Sequence, residues 1–543
     1  MVCTKSRYKQ SFKVFAFKIE IHTYAMNSNY VVLSFLIRFL FIFLFTCGCE
    51  KRVLIEENIN VSPQSEPNIS VHVEVTPSDA IIEATNMDGE VVSWLAGKNE
   101  IPFGRWKVQV NKHGWVEQET VIDISNETRT LLFTLKAEIQ NVTYASSPTS
   151  HNTLLMDENK MVNRWSGDAT FELPTGRYKL TSTWEAYPTK ERILTIDRDT
   201  EIFNCPQHSF NHVRCDRVIE SRRAPKSVNF SPDGKQVWAT LLVGPPAVKV
   251  FSVETGDLLA SIDLGEKGGV ELLFSEDGSL AWVSQMHTSS VFEIDTSTFE
   301  VLRQLPSKSS WTKVIAKSND EQFLYVSNWV GDDVSEIELN SGVVTRKWKT
   351  NDTPRGLFYT RDDNLLVASF EEGTVQSIDI KTGLITTIFE GARSARHLEY
   401  DQDLGRLYIS DLRGGKVWVV DMSTKTSSIL AAVDKNPNTI RLSLDKRLLF
   451  VSCRGKNNRQ NYINPGPEYG TVFIIDAYTG TILDVIVGGN QPTGLDVSPD
   501  GKLLAFSDFW DHKIKIFSVP STQYLLENGG DESLLQYKDY LTK

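Results

Sequence analysis

Lysine and arginine recur at one position of a repeated sequence pattern, one residue after a proline or its equivalent. The residues at this position are Lys226, Val270, Lys313, Arg355, Arg396, Asn438 and Thr493. If the repeats close into a ring, the four cations point towards its axis. There they would bind an anion by charge and by bidentate guanidinium contacts. The alternative is that they pair with Glu271, Glu372 or Asp411 and only hold loops in place.

A second set of polar and aromatic residues follows the second predicted strand of each repeat. The candidates for ligand contact are His287, Asp411, Arg413, Arg454, Asp508, Trp510 and His512. In a ring of sheets, these loops share one face with the loops that lead into the innermost strands. We therefore predict a binding funnel on that face.

The elements that position these residues come from a hairpin repeated seven times. Its turn aspartates are Asp233, Asp277, Asp320, Asp362, Asp403, Asp445 and Asp500. Seven residues after each of them stands a serine or threonine, namely Thr240, Ser284, Ser327, Ser369, Ser410, Ser452 and Ser507. An Asp-Gly type turn between apolar segments is typical of a β-hairpin. An insertion, "GKNNRQNYINPGPEY", lengthens the sixth repeat, and it is either a recognition loop or a tolerated insertion.

Each repeat holds four predicted strands in about 42 residues, which is the size of one propeller blade. The fold class is therefore all-β, a seven-bladed β-propeller preceded by two small β-sandwich-like domains. Ring closure requires a strand from the other end of the propeller. We expect Arg217 to Ser221 to be the outer strand of the last blade, with the segment that begins at Tyr524 as the alternative.

Two stretches carry a family resemblance: "SPDGKLLAFSDFWDHKIKIF" and "YGTVFIIDAYTGTILDVIVGGNQPTGLDVSPDG". They resemble the YVTN-type seven-bladed propeller family over roughly residues 216 to 520. This resemblance implies binding or adhesion more often than catalysis, although the fold hosts many activities.

A tandem repeat precedes the propeller, with an offset of 72 residues. "PFGRWKVQVNKHGWVEQETVIDI" begins at Pro102 and "PTGRYKLTSTWEAYPTKERILTI" begins at Pro174. Apolar and polar residues alternate in both copies, which predicts half-buried strands. The first copy resembles the PEGA domain, whereas the second departs from it at Ala186. The resemblance implies spacer or adhesive modules.

The N-terminal region contains the apolar run "VVLSFLIRFLFIFLFTCG", from Val31 to Gly48. Its length suits a secretory signal or a membrane helix. Cysteine directly after such a run resembles a bacterial lipoprotein processing site, and Cys49 is the favoured lipidation site with Cys47 as the alternative. An uncleaved anchor helix is the other interpretation. The start of translation is either Met1 or Met26.

The layout of anchor, β modules and propeller is similar to that of spirochaete surface lipoproteins. It implies an outer-membrane lipoprotein of the bacterial cell envelope, either periplasmic or surface-exposed. The expected partners are the membrane, through the lipid, and a protein or polysaccharide. The expected oligomeric state is a monomer.

Cys205 and Cys215 bracket the stretch "CPQHSFNHVRC". In an oxidising compartment they are candidates for a disulfide. A metal site that also uses His208 and His212 is the alternative, although its cysteine spacing is unusual for zinc.

The composition and the motifs of the chain narrow the possible classes of function. A net charge of −12 argues against nucleic acid as a partner. No cofactor motif is present, and we expect no catalytic residues, no resident metal and no cofactor. The alternative function is a hydrolase of the lactonase type, for which His287, His397 and His512 are the propeller histidines.

The predicted boundaries follow from these patterns. They are an anchor segment at 1–49, a tether at 50–68, a PEGA-like domain at 69–136, a second at 137–204, a linker at 205–216, the propeller at 217–521 and a tail at 522–543.

Overall fold

The computed structural model describes residues 68–146, 150–158, 160–184, 187–461 and 464–542. Within these residues almost all regular structure is β-strand. The predicted lipidation cysteines Cys47 and Cys49, the apolar run, the tether up to residue 67 and Ala186 lie outside them. No helix of the described ranges has the length and apolar character needed to cross a membrane.

Two small β domains share one topology. In the first domain, a three-stranded sheet contains Gly97–Pro102, Asn68–Thr76 and Thr130–Thr134, and a four-stranded sheet contains Val91–Trp94, Ile81–Asn86, Gly104–Asn111 and Gln118–Ile124. In the second domain, the corresponding strands are Ala169–Pro174, Ile139–Ser146 and Thr200–Asn204, and then Lys160–Trp165, Asn152–Asp157, Gly176–Trp184 and Tyr187–Ile196. In both three-stranded sheets the central strand pairs with one neighbour antiparallel and with the other parallel. A short pair, Trp115–Val116 with Lys136–Ala137, completes the strands of this region.

One hydrogen bond recurs at the same offset as the sequence repeat. Trp106 Nε1 donates to the carbonyl of Pro102 at 3.2 Å, and Tyr178 Oη donates to the carbonyl of Pro174 at 2.7 Å. Both aromatic rings lie in the core of their domain. The tandem pattern in the sequence therefore reflects a duplicated structural unit.

Seven four-stranded antiparallel sheets form the propeller. Blade one comprises Pro225–Phe230, Gln236–Leu241, Val248–Ser252 and Leu258–Ile262. Blade two comprises Leu272–Phe274, Leu280–Gln285, Ser290–Asp295 and Val301–Pro306. Blade three comprises Thr312–Lys317, Phe323–Asn328, Asp333–Glu338 and Val343–Lys349. Blade four comprises Pro354–Tyr359, Asn364–Ser369, Thr374–Asp379 and Ile385–Glu390. Blade five comprises Ala395–Asp401, Arg406–Asp411, Lys416–Asp421 and Thr426–Ala432. Blade six comprises Pro437–Leu442, Leu448–Cys453, Thr471–Asp476 and Ile482–Val487. Blade seven comprises Pro492–Val497, Leu503–Asp508, Lys513–Ser518 and Arg214–Glu220.

The outer strand of blade seven comes from the start of the propeller. Arg214–Glu220 pairs antiparallel with Lys513–Ser518, so the ring is closed by the predicted segment. The strand begins three residues earlier than Arg217, because Arg214 and Cys215 pair with Ser518 and Phe517 ahead of a bulge. The alternative segment is helical instead, in the α-helix Thr522–Asn528.

The C-terminal residues cover the outer edge of blade six. The helix Thr522–Asn528 is followed by a 3₁₀ helix, Glu532–Tyr540. Leu534 and Tyr537 pack into the core around Phe473, and Tyr537 Oη donates to Asp434 at 3.0 Å. This tail is therefore part of the propeller's packing.

The recurring turn aspartate is explained by local hydrogen bonds at the first hairpin of six blades, whereas Asp403 of blade five pairs with Arg361 and Lys446. In blade one Ser231 Oγ donates to Asp233 at 2.6 Å, and the same carboxylate accepts from the Lys235 amide at 3.0 Å. Equivalent serine or threonine to aspartate bonds occur at Asp277, Asp320, Asp362, Asp445 and Asp500. The side chain thus fixes the turn that Gly234, at φ +73°, completes.

The recurring serine or threonine links one blade to the next. Ser410 Oγ accepts from the His397 amide of its own blade at 3.1 Å and donates to the Asn438 carbonyl of the next blade at 2.8 Å. The same donation runs from Thr240 to Val270, Ser284 to Lys313, Ser327 to Arg355 and Ser452 to Thr493. All five acceptors occupy the repeat position that directly follows the proline or its equivalent, which is also the position of the predicted cations.

We predict that Ser410→Ala lowers the free energy of unfolding by about 1–3 kcal/mol, because a buried amide and a buried carbonyl lose their partner. Ser369→Ala is the matched control, since Ser369 is equally buried and its hydroxyl has no partner among the described residues. Urea unfolding of both variants measures the difference. Equal losses would contradict a specific role for the inter-blade bond.

Candidate functional site: a cation cluster at the mouth of the propeller

Five cationic side chains meet at the end of the propeller where the inner strands begin. Lys226, Lys313, Arg355 and Arg396 are each the second residue of an inner strand, and Arg454 directly follows the second strand of blade six. We call these five residues the cation cluster. Arg355 and Arg396 are buried, with 4% and 7% of their surface exposed. The charges of Arg396, Arg355 and Arg454 all act on Lys226.

One carboxylate stands among these cations. Glu271 Oε1 lies 3.5 Å from Arg355 Nη2, and its charge also acts on Lys226, Lys313 and Arg396. The sequence repeat aligns Val270 rather than Glu271 with the cations. Val270 is fully buried, and the following residue brings the charge to the cluster. The pairing with Glu271 that the sequence offers as the alternative role of the cations is therefore present for Arg355.

Burial and mutual repulsion perturb the cluster. Burial first, and neighbouring arginines second, hold the pKa values of Lys226, Lys313 and Arg396 well below their usual values. Burial also lowers the pKa of Arg355, and Glu271 partly opposes this shift. Arginine remains protonated at neutral pH even so. A bound anion would offset both the burial of these charges and their mutual repulsion, because it supplies the missing counter-charge.

Amide side chains complete the cluster. Arg396 Nε donates to Asn438 Oδ1, and Arg454 Nη2 donates to Gln491 Oε1. Asn438 is fully buried, yet its Nδ2 has no hydrogen-bond acceptor within the described part of the chain. A buried donor beside a buried guanidinium is arranged to receive an oxygen atom of a ligand or of water.

Aromatic rings border the cluster on two sides. The Trp329 ring centroid lies 5.2 Å from Lys313 Nζ and 5.6 Å from Arg355 Cζ, and the Phe509 centroid lies 5.6 Å from Lys226 Nζ. These are cation–π contacts, which partly offset the burial of the charges.

Three of the predicted funnel residues hold loops together. Asp411 is buried and accepts from the amides of Arg393, Ser394 and Gly414 at 2.9–3.0 Å. Asp508 is buried, accepts from the Gly489 amide at 2.7 Å and pairs with Lys515 at 2.9 Å. His512 Nδ1 accepts from the Ala224 amide at 2.9 Å. Their side chains are therefore committed to the fold.

The other predicted residues lie away from the cluster or at its margin. Arg413 forms a bidentate pair with Glu371 at 2.7 and 2.8 Å on the surface, and His287 is exposed. Trp510 packs edge-on against Phe509, and its buried Nε1 has no acceptor among the residues described. Of the two predicted sets, the structure brings together the four inner-strand cations and Arg454.

A cavity of about 440 Å³ occupies the channel alongside the inner strands. The residues that line it include His397, Glu399 and Arg441 together with the apolar Leu273 and Phe358. Arg441 pairs with Glu399 at 2.9 Å and with Asp496 at 3.0 Å. Burial raises the pKa values of both carboxyls.

His397 is the one predicted hydrolase histidine that lines this cavity. Burial, followed by the charges of Arg441, Arg396 and Arg355, holds its pKa well below the usual value. Its Nδ1 is buried and has no partner in the described ranges. The imidazole is therefore neutral at pH 7, with a ring nitrogen available to a bound molecule.

The stretch between the β domains and the propeller contains a disulfide. Cys205 and Cys215 are joined at an S–S distance of 1.99 Å, so neither sulfur is available to a metal. His208 instead stacks on Phe210, with ring centroids 4.8 Å apart. No group of three or more metal-ligating side chains occurs within the described ranges.

Comparison with known proteins agrees with this architecture. The family described as "Lactonase, 7-bladed beta-propeller" matches residues 207–394. The chain is 32% identical over 308 residues to antigen Lp49 of Leptospira interrogans, covering 54% of this chain and 67% of that protein. The chain belongs to the seven-bladed β-propeller family of antigen Lp49. It is also 22% identical over 179 residues to the uncharacterized protein YncE of Salmonella typhi, covering 32% of this chain and 50% of that protein.

The lowered lysine pKa values predict a pH dependence of stability. Between its lowered pKa and 10.5, each lysine binds fewer protons in the folded than in the unfolded chain, so stability rises as pH rises. We expect the urea midpoint of a K226M/K313M variant to rise less steeply with pH from 7 to 9 than that of the wild type. Parallel pH profiles of the two proteins would show that the pKa values of the two lysines are not lowered in the folded state.

Proposed function

We propose that this protein is a non-catalytic binding lipoprotein of the bacterial envelope, and that its propeller binds an anionic ligand at the cation cluster. The observation that carries the proposal is the convergence of five cations around one carboxylate, Glu271, which interacts with four of them, namely Lys226, Lys313, Arg355 and Arg396. Proteins rarely bury so many like charges without a counter-ion. The buried Nδ2 of Asn438, which has no acceptor in the part of the chain that the structure describes, adds a donor at the same place.

The rest of the chain supports a role in presentation of this site. The predicted lipid on Cys49, or on Cys47, would hold the protein at the outer membrane, with the site on the periplasmic or outer side. The two β domains, which resemble PEGA modules, would act as spacers between lipid and propeller. Similarity to a protein named as an antigen is compatible with an envelope location. The proposed partner is a protein, a polysaccharide or another anionic ligand.

Hydrolysis of a lactone is the second candidate function. Two observations favour it: the family match to a lactonase propeller, and the neutral His397 of the channel cavity, whose Nδ1 has no partner among the described residues. In this case His397 would accept a proton from the attacking water, and Arg355 and Arg396 would stabilise the negative charge that develops on the substrate. The charges of both arginines already act on His397.

We predict that R355Q/R396Q loses anion binding. Each arginine supplies charge-assisted hydrogen bonds of about 1.5–3 kcal/mol, so affinity should fall by more than about tenfold. Isothermal titration of the full chain with inorganic sulfate and with citrate measures this change.

R361Q is the matched control, because Arg361 pairs with Asp403 on the surface, at the turns between first and second strands. It should bind both anions as the wild type does. Undiminished binding in R355Q/R396Q would exclude the cluster as the site.

Assay of the wild type and H397A against a set of lactones tests the second function, and turnover that requires His397 would replace the binding proposal.

A further inference from the structure

An aromatic rim stands next to the cation cluster on blades three and four. We define it as Trp311, Trp329 and Phe370. Trp311 is 46% exposed, and its ring centroid lies 5.7 Å from Lys313 Nζ. Trp329 and Phe370 are in contact, with centroids 4.9 Å apart. The rim thus offers an accessible aromatic surface directly beside the charges.

The fold does not explain the tryptophan at position 311. Trp311 has a φ of +61°, in the left-handed region that bulky residues rarely adopt. The residue directly before the inner strand has a positive φ in four other blades too, where it is Ala224, Thr353, Asn436 or Gln491. The turn therefore accepts small or amide side chains. A half-exposed tryptophan there adds little packing, which indicates contact with a ligand.

A second aromatic pair lies on the side of blade seven. Phe509 contacts Lys226, and Trp510 packs against Phe509 at 4.8 Å between centroids. Trp510 Nε1 is a buried donor without an acceptor among the described residues. Aromatic surface and unused donors therefore flank the cations on two sides, over a wider area than a small inorganic ion covers.

We propose that the ligand of the cation cluster is an acidic saccharide, carrying carboxylate or sulfate groups. This inference rests on the proposed anion-binding function and narrows it to one chemical class. The apolar face of a sugar ring stacks on the exposed indole of Trp311, and its acid groups accept from Lys313, Arg355 and Arg396. An acidic peptide would pair with the cations but would leave Trp311 without a function.

The test is a titration of the full chain with three probes: a heparin-derived hexasaccharide, inorganic sulfate and a hexaglutamate peptide. Trp311→Ala should weaken hexasaccharide binding by about tenfold, the size of one aromatic contact, and leave sulfate binding unchanged. Trp311→Phe should restore most of the affinity. Tyr478→Ala is the matched control. Tyr478 is also a partly exposed aromatic beside two arginines, Arg447 and Arg406, but it lies in the turn between third and fourth strands.

The outcomes separate the two proposals. Loss of hexasaccharide binding in Trp311→Ala with retained sulfate binding supports the saccharide. Equal affinity for hexaglutamate and hexasaccharide, with no effect of Trp311→Ala, overturns the saccharide proposal while anion binding stands. If none of the three probes binds, the anion-binding function and the saccharide proposal are both overturned.

Discussion

A single side-chain hydroxyl connects each of five blades to the next, and the geometry of the candidate site depends on it. Ser327 Oγ accepts from the Val314 amide at 3.0 Å and donates to the Arg355 carbonyl at 2.9 Å. The hydroxyl therefore sets the distance between adjacent inner strands at the residue that carries the cation. Because the bond is buried on both sides, its loss leaves two polar groups without partners. The periodic serine or threonine therefore fixes the backbone positions from which the cations extend.

The fold thereby brings together charges that repel one another. Lys226, Arg355 and Arg396 are the second residues of inner strands that hydrophobic packing between blades holds in place, so their backbone positions are fixed. Glu271 provides one counter-charge, and cation–π contacts with Trp329 and Phe509 provide a weaker compensation. A site of this kind is less stable empty than occupied. The protein accepts that cost because seven closed blades supply a large apolar core around it.

Several features could be predicted from the sequence because they repeat. The turn aspartates, the hydroxyl residues and the segment that closes blade seven all follow from the spacing of the repeats. Other features have no periodic signal. Glu271 is one residue out of register with the cations, and the Trp311 ring belongs to a loop that differs between blades. Asp411 and His512 were expected in the funnel by their position in these loops, but their hydrogen bonds run to neighbouring backbone amides.

The sequence alone determined the all-β class, the number of blades, the duplicated β domain and the four inner-strand cations, since each of these follows from local spacing and strand alternation. Only the tertiary structure decided which charged side chains meet. Arg454 and Glu271 join the cluster because blades two and six are brought to the same axis, although 183 residues separate them in the chain. It also decided that Cys205 and Cys215 are bonded and that Asp508 serves the fold. Long-range proximity depends on the closure of the ring, and no local pattern of residues specifies it.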